Sequence, residues 1–547
     1  MPDQYYNLFY YTTHKELFPL DIYFNNTFFF KSSIFFAINA LIHGEESDVI
    51  GFFFHLITTG IGVALIAVSI NRHLVSGRWS ATLFLVLLLC FLGRDIPPNT
   101  WGGIISLGPG TATMLAKTMV FASFFLMLER HIFAAAVVAA AVLVTHILGD
   151  FILFGILFFF ILLDSRTDNR KLAYLLIPLL AVGIKKYFSE ITLLTSGEDA
   201  RALYDLVLEY GRQDAYFTHQ GIPAMVVFFA SFLLFPFMWK KLPFADGESF
   251  LPLIKAIYFS ALCVVCGAMV YTSFISEYLP IPVVIMIAPV RAMNYYTLVF
   301  YLVAFFLIIR TDRLDAELKA ACLIALVLLH MESLKGVIYP AVILIAGFAG
   351  RFTYKMIKKK VLLLPTPSVK VITVLLLIGI TAIQIQKGGV YQTNFGANGW
   401  KYLDRWTINL FADEAIWKAA AALRTRPEDM VLLPIFKSQS TGKYMTGSAL
   451  NMVAEKSQFV ELGHHFYFNY PMLLEHRIRE ATRDGVFLAL DEGRDINPQD
   501  VKVLRSLNAV VLVPQVVSSH FQGWTKQEHL GEITLIQYAQ DDSDNGD

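Results

Sequence analysis

Twelve stretches of this chain read as helices that are apolar around most of their circumference. They lie near 48–70, 80–93, 111–128, 132–148, 151–163, 171–188, 222–239, 250–275, 295–309, 316–331, 336–350 and 369–385. About 20 apolar residues cross a bilayer as a helix, whose backbone groups are satisfied internally. The pattern therefore predicts a polytopic membrane domain over 48–388, in which 80–93 and 151–163 are short for the task. Residues 27–43 (TFFFKSSIFFAINALIH) are apolar but broken by Lys31 and two serines. They read as an interfacial helix. Were they to span instead, the first 26 residues would move to the other side.

Beyond 388 the rhythm changes: charged residues become frequent and apolar runs shrink to about five or six residues, the length of a strand. Helices are expected at Ala412–Leu423, Pro471–Arg483 and Pro498–Leu507, and strands at Asp429–Phe436 and Ala509–Pro514. That is a small soluble α/β domain over 389–547, with an acidic tail, Asp541–Asp547, expected to be disordered. Residues 1–47 form a separate first segment ahead of the spans.

Composition agrees with a membrane location, since only 16% of the 547 residues are charged and 56% are hydrophobic, against about 25% charged in soluble proteins. Forty-four basic residues balance 44 acidic ones. A balanced chain has no field to gather nucleic acid, so that partner is excluded as a main role. Charge also orients the spans, because Lys and Arg are retained on the cytoplasmic side. One set of alternate short loops carries fourteen basic residues, among them Arg72, Arg78, Arg130, Arg166, Arg170 and Lys358–Lys360, and the other set carries three, Arg94, Arg291 and Lys335. The first set is cytoplasmic on this count. The chain start, the long loop of about 189–221 and everything after about 386 then lie outside the cytoplasmic membrane.

Ionisable groups near an apolar layer are expensive and usually have a task. Here they favour the outer side: Asp21 in the first segment, Arg94 and Asp95 in GRDIPPNTWGG, His146 and Asp150 in THILGD, and Arg291 and Asn294 in APVRAMN. His146 and Asp150 are one helical turn apart, where a carboxylate can orient an imidazole, or where both simply close a helix end. Arg291 and Arg94 offer permanent cations for a phosphate; snorkelling to headgroups or pairing with an acid is the alternative. The outer loop contains ARALYDLVLEYGRQDAYF, with Leu203, Leu206 and Tyr210 at helical spacing and Asp205, Glu209 and Arg212 elsewhere, as in a helix lying on a membrane. In the outer domain Lys437, Lys443 and Lys456 occur near Ser438, Ser440 and Thr441, a composition suited to phosphate or to plain solvent. Cys263 and Cys266 have no second pair, and there is no phosphate-binding glycine loop, dinucleotide fingerprint or HExxH. No motif calls for a divalent metal, and cofactor use stays open.

The segment HKELFPLDIYFNNTFFFKSSIFFAINALI, with LVTHILGDFILF, APVRAMNYYTLVF and LRTRPEDMVLLP, resembles a group of bacterial polytopic membrane proteins. These in turn resemble the GT-C superfamily, multi-spanning glycosyltransferases that use polyprenyl-phosphate sugars. The resemblance implies a GT-C-like, mainly α-helical fold of about 12 spans with an extracytoplasmic α/β domain. In that superfamily a carboxylate of the first outer loop serves as base or orients the acceptor, and Asp21 stands at the corresponding place. The superfamily's first span precedes that loop and none precedes it here, so either the chain starts late or the fold lacks that helix. No Asp-x-Asp pair or Trp-Trp-Asp motif is present, so metal dependence and peptide recognition do not carry over.

The expected function is transfer of a sugar from a polyprenyl-phosphate donor to a glycan, lipid or protein acceptor at the outer face of the membrane. Asp21 would act as base, with Asp95, His146 and Asp150 as supporting acid, base or positioning groups. Arg94, Arg291, Asn294 and Lys437 would hold substrate. The competing expectation is a non-catalytic transporter or assembly subunit for cell-surface polysaccharide.

Overall fold

The computed structural model describes residues 48–75, 77–91, 112–145, 151–187, 201–206, 222–242, 250–281, 293–311, 314–328, 342–347, 414–426, 429–437, 444–445, 450, 454–460, 470–521 and 526–537, together with 17, 20 and 284. Most of these residues are helical, and a small sheet lies near the carboxyl end. The chain divides into two compact units. One takes Met1–Val49, Ser189–Leu206 and Trp400–Asp547, and the other takes Ile50–Phe188 and Val207–Gly399.

The second unit is helical. Its elements are α1 (Asp48–His73), α2 (Trp79–Phe91), α3 (Ala112–Leu128), α4 (Ile132–Thr145), α5 (Ile152–Leu163), α6 (Leu176–Tyr187), α7 (Ile222–Trp239), α8 (Leu251–Val270), α9 (Met293–Arg310) and α10 (Ala316–Leu328). Each coincides with an apolar run of the sequence to within a few residues. Among the described residues two stretches, Leu251–Ile275 and Met293–Arg310, are long and apolar enough to cross a membrane. The apolar helices Leu115–Leu128, Ile132–Thr145, Ile152–Leu163 and Phe229–Trp239 are shorter. Helix α8 packs along α5 and α9, α3 along α4, and α4 along α6. Small residues permit the close approaches: a Cβ at Gly62 would stand 2.9 Å from Thr118 Oγ1, and one at Gly155 would stand 3.0 Å from Ser260 Oγ. Aromatic rings fill the α7–α8–α9 seam, where Phe232 stacks on Tyr296 at 4.0 Å and Trp239 meets Tyr258 edge-on at 4.9 Å. The outward faces are apolar as well, with Ile57, Ile61, Leu83, Leu179, Leu180, Leu233 and Phe237 all exposed.

Helix α8 ends in a π-helical turn, Tyr271–Ile275. The Tyr271 hydroxyl holds the following loop by accepting from Ile281 N–H at 2.6 Å and donating to Leu279 O at 2.9 Å. The expected mid-span pair Cys263 and Cys266 lies on the exposed face of α8, both thiols free.

In the first unit the described elements are α11 (Glu414–Leu423), β1 (Val431–Pro434), β2 (Phe436–Lys437), β3 (Tyr444–Met445), β4 (Ser457–Gln458), α12 (Tyr470–Glu492), α13 (Pro498–Ser506), β5 (Ala509–Pro514), β6 (Lys526–Leu530) and β7 (Ile533–Gln537). The five-stranded sheet has the order β4-β1-β5-β7-β6; β4, β1 and β5 run parallel, and β7 pairs antiparallel with β5 and β6. Strand alternation sorts its side chains. Val431, Leu433, Val511 and Val513 face one core with Val486, Ala489 and Leu504 of α12 and α13, while Leu432, Val510 and Leu512 face a second core with Ala419, Ala420 and Leu423 of α11. The result is helix, sheet, helix. Helix α13 starts at Asn497, whose side chain accepts from Gln499 N–H at 2.9 Å, followed by Pro498 at the first helical position.

Candidate functional site

Of the residues singled out from sequence, Asp21, Arg94, Asp95, His146, Asp150 and Arg291 lie outside the described residues, as do Lys443, Tyr210, Glu209 and Arg212. Asn294 and Lys437 are described. Asn294 is the second residue of α9, within a turn whose Thr297 hydroxyl donates to Met293 O at 2.9 Å. Its neighbours Tyr295 and Tyr296 anchor the turn. Tyr295 meets Phe124 edge-on at 5.7 Å, and the Tyr296 hydroxyl bonds Ser231 Oγ at 2.8 Å. The amide oxygen Oδ1 of Asn294 is sheltered and has no hydrogen-bond partner among the described residues. A sheltered amide oxygen left unpaired costs about 1–3 kcal/mol. An acceptor held that way is ready for the hydroxyl or amide of a bound group.

Lys117 is a buried ionisable residue that the sequence reading passed over. It sits one turn inside α3, only 4% exposed, beside Thr118, whose hydroxyl donates to Thr58 O of α1 at 3.1 Å. The signal was available: an ammonium within an apolar helix is costly unless it is matched or used. A nearby cavity between α1, α3, α8 and α9 is walled by Ile66, Phe121, Phe250, Leu253 and Leu298, with Ser69 its polar member. Apart from the Ser69 hydroxyl this lining is apolar and offers no acid or base.

Charged groups of this unit gather where α1, α3 and α5 end. Glu129 receives Arg72 Nη1 at 2.9 Å and lies 3.3 Å from His73 Nε2. Burial alone would push its carboxyl up, but the hydrogen bonds from Arg72 and His73 outweigh this and hold it below the ordinary glutamate range. Next to it Arg130, at a left-handed φ of 62°, donates through Nε to the buried Asp164 at 3.1 Å, and Thr167 Oγ1 reaches the same carboxylate at 2.7 Å. These contacts tie three helix ends together and are fully accounted for as structure.

In the first unit Lys437 occupies β2, in register with Tyr444 of β3. Lys456 is committed elsewhere, donating to Arg426 O at 2.7 Å. Leu20, the residue before Asp21, donates its backbone N–H to Ser457 Oγ of β4 at 3.1 Å. The short helix at 201–206 buries Leu203, Tyr204 and Leu206 and leaves Asp205 exposed, paired with Arg201 at 3.0 Å. Leu203 and Leu206 are thus buried within the protein together with Tyr204, where the sequence pattern sets them toward a membrane surface. Among the described residues no group of three or more His, Cys, Asp or Glu is placed to hold a metal. No known protein family, no curated protein and no solved structure matches this chain.

Proposed function

We propose that the chain is a multi-pass glycosyltransferase of the cytoplasmic membrane, of GT-C type. It would transfer a sugar from a polyprenyl-phosphate donor to an acceptor on the outer side. The observation that carries this reading is the make-up of the first unit, Met1–Val49, Ser189–Leu206 and Trp400–Asp547. They correspond in large part to the chain start, the loop of about 189–221 and the stretch after about 386, which the basic-residue count assigns to the outer side. The bond from Leu20 to Ser457, spanning 437 residues of sequence, ties the segment that carries Asp21 to the terminal domain. Common membership of one folded body supports a common side of the membrane. Multiple crossing is supported by helices that are apolar both inward and outward, because water would penalise the exposed leucines and phenylalanines that lipid accepts.

In this mechanism Asp21 takes the proton of the acceptor hydroxyl as it attacks the anomeric carbon. Arg291 and Arg94 stabilise the charge that develops on the departing polyprenyl phosphate. Asn294 Oδ1 accepts a hydrogen bond from substrate, and Asp95, His146 and Asp150 position the reacting groups. A positioned base is worth about 10²–10⁴ in rate. Turnover of a polyprenyl-phosphate sugar by the purified chain in vesicles tests this: Asp21→Asn should lose at least about 100-fold and Arg291→Ala a similar factor, with folded yield retained. Unchanged turnover in both variants would overturn the transferase reading.

A further inference from the structure

Helix α12 is built in two halves. In its second half Val486, Ala489 and Leu490 enter the sheet core, as an amphipathic helix should. In its first half the buried positions are His476, Arg479, Thr482 and Arg483, spaced at three and four residues along one face, while Leu474 and Ile478 are exposed. The polarity of the first half is therefore inverted. His476 is 1% exposed and Arg479 is 3% exposed, burial that charged and polar side chains accept only with partners.

Acids of the same helix supply part of that partnership from outside. Arg479 Nε donates to Glu475 at 2.8 Å, Arg483 Nε to Asp484 at 2.8 Å, and Arg483 Nη2 to Glu480 at 3.2 Å. The carboxylates are substantially exposed, Asp484 at 62%, whereas the guanidinium side chains are 3% and 9% exposed. Negative charge thus sits at the rim and positive charge inside. Arg483 Nη1 is buried and, among the described residues, has no hydrogen-bond partner. A desolvated N–H of a cation is a strong unsatisfied donor.

The place in the fold is also the one where open α/β sheets take ligands. Strand β1 has β4 on one side and β5 on the other, so the strand order reverses there, and ligands settle beyond the carboxyl ends of strands at such a point. The β2–β3 hairpin, with Lys437 in β2, follows the carboxyl end of β1, and α12, which comes next after β4, packs against β3.

We propose that the inward face of the first half of α12 is an anion site for a phosphate group, with Arg483 as its principal donor and Arg479, His476 and Thr482 on the same face. Two planar guanidiniums, an imidazole N–H and a hydroxyl match the several oxygens of a tetrahedral dianion better than the two of a carboxylate. Both arginines act on His476, which burial first and their charges second hold neutral. An arriving dianion offsets those charges. The site goes beyond the transferase reading and does not rest on it.

The test uses the full chain in detergent and needs no activity. Modification of arginine by phenylglyoxal, read by mass spectrometry, should be slowed about tenfold at Arg483 by inorganic phosphate and unchanged at the exposed Arg477 of the same helix. Direct titration with phosphate should show saturable binding that Arg483→Gln weakens at least about tenfold and Arg477→Gln leaves intact. A second arm, in vesicles with phosphatidic acid and no free phosphate, separates sources: protection of Arg483 there alone assigns a lipid headgroup, and protection by free phosphate assigns a soluble ligand. If neither arm protects Arg483, or if Arg483→Gln binds phosphate as tightly as the parent chain, the site does not exist as proposed.

Discussion

His476 shows what a single buried ring does to the terminal domain. Burial first, then the charges of Arg483 and Arg479, push its pKa down to about 4 from the ordinary 6.5, with Glu480 the acid nearest to it at 3.9 Å. The folded chain therefore binds a proton at this residue less readily than the unfolded chain. Its contribution to stability is complete above about pH 6.5 and is lost as pH falls through about 4. The loss is on the order of 3 kcal/mol at about 1.4 kcal/mol per unit. A His476→Gln variant should lack this part of the acid sensitivity, seen as a smaller drop in unfolding midpoint between pH 6.5 and 4. An equal drop in both proteins would contradict the assignment. None of this was legible in the sequence, which predicts a helix over Pro471–Arg483 but does not mark His476, Arg479 and Arg483 as an inward face. Their burial is a tertiary fact. Asn294, in contrast, stood out in sequence by its place after Arg291 at the head of an apolar run, and the structure gives it a sheltered oxygen with no partner among the described residues.

At the scale of elements, the apolar helices of the second unit were readable because each is a continuous run bounded by charge or Pro and Gly, so boundaries fell within a few residues. The β6–β7 hairpin was not. Lys526–Leu530 (KQEHL) is an edge strand with no apolar alternation, and pairing with β7 rather than composition makes it extended. Helix α12 also runs nine residues past the expected Arg483, to Glu492, and Gly485 within it serves close packing. A Cβ there would collide with the Asp500 carboxylate of α13. Close packing yields a prediction in the helical unit too. Gly155→Val on α5 drives methyls into Ser260 of α8, and overpacking of this kind costs about 1–3 kcal/mol. Gly183→Val on α6, where nothing lies within 4 Å, should be neutral or slightly stabilising, since valine is the better helix former. Equilibrium unfolding in mixed detergent would rank the two, and equal effects would argue against a tight α5–α8 contact.

For the whole molecule the orientation is a proposal from the basic-residue count, and the structure groups Met1–Val49, Ser189–Leu206 and Trp400–Asp547 in one unit. A cysteine placed at exposed Arg494 should react with a membrane-impermeant maleimide in intact cells, and one at exposed Arg166 should react only after permeabilisation. Labelling of both positions from the same side would overturn the proposed topology. The residues assigned to catalysis, Asp21, Asp95, His146 and Asp150, and the substrate-binding Arg94 and Arg291 lie outside the described residues. The short apolar helices were legible by apolarity, while Lys117 shows what a run-based reading discards: one charge averaged away among apolar neighbours.

The hydrogen bond from the Leu20 backbone N–H to the Ser457 hydroxyl has a temporal side. A ribosome moving at about 10 residues per second needs roughly 40 s to make the 437 residues between the two partners. Throughout that interval the Leu20 N–H lacks the acceptor it has in the finished chain. A polypeptide stopped before β4 would carry every apolar helix of the second unit and never acquire that contact.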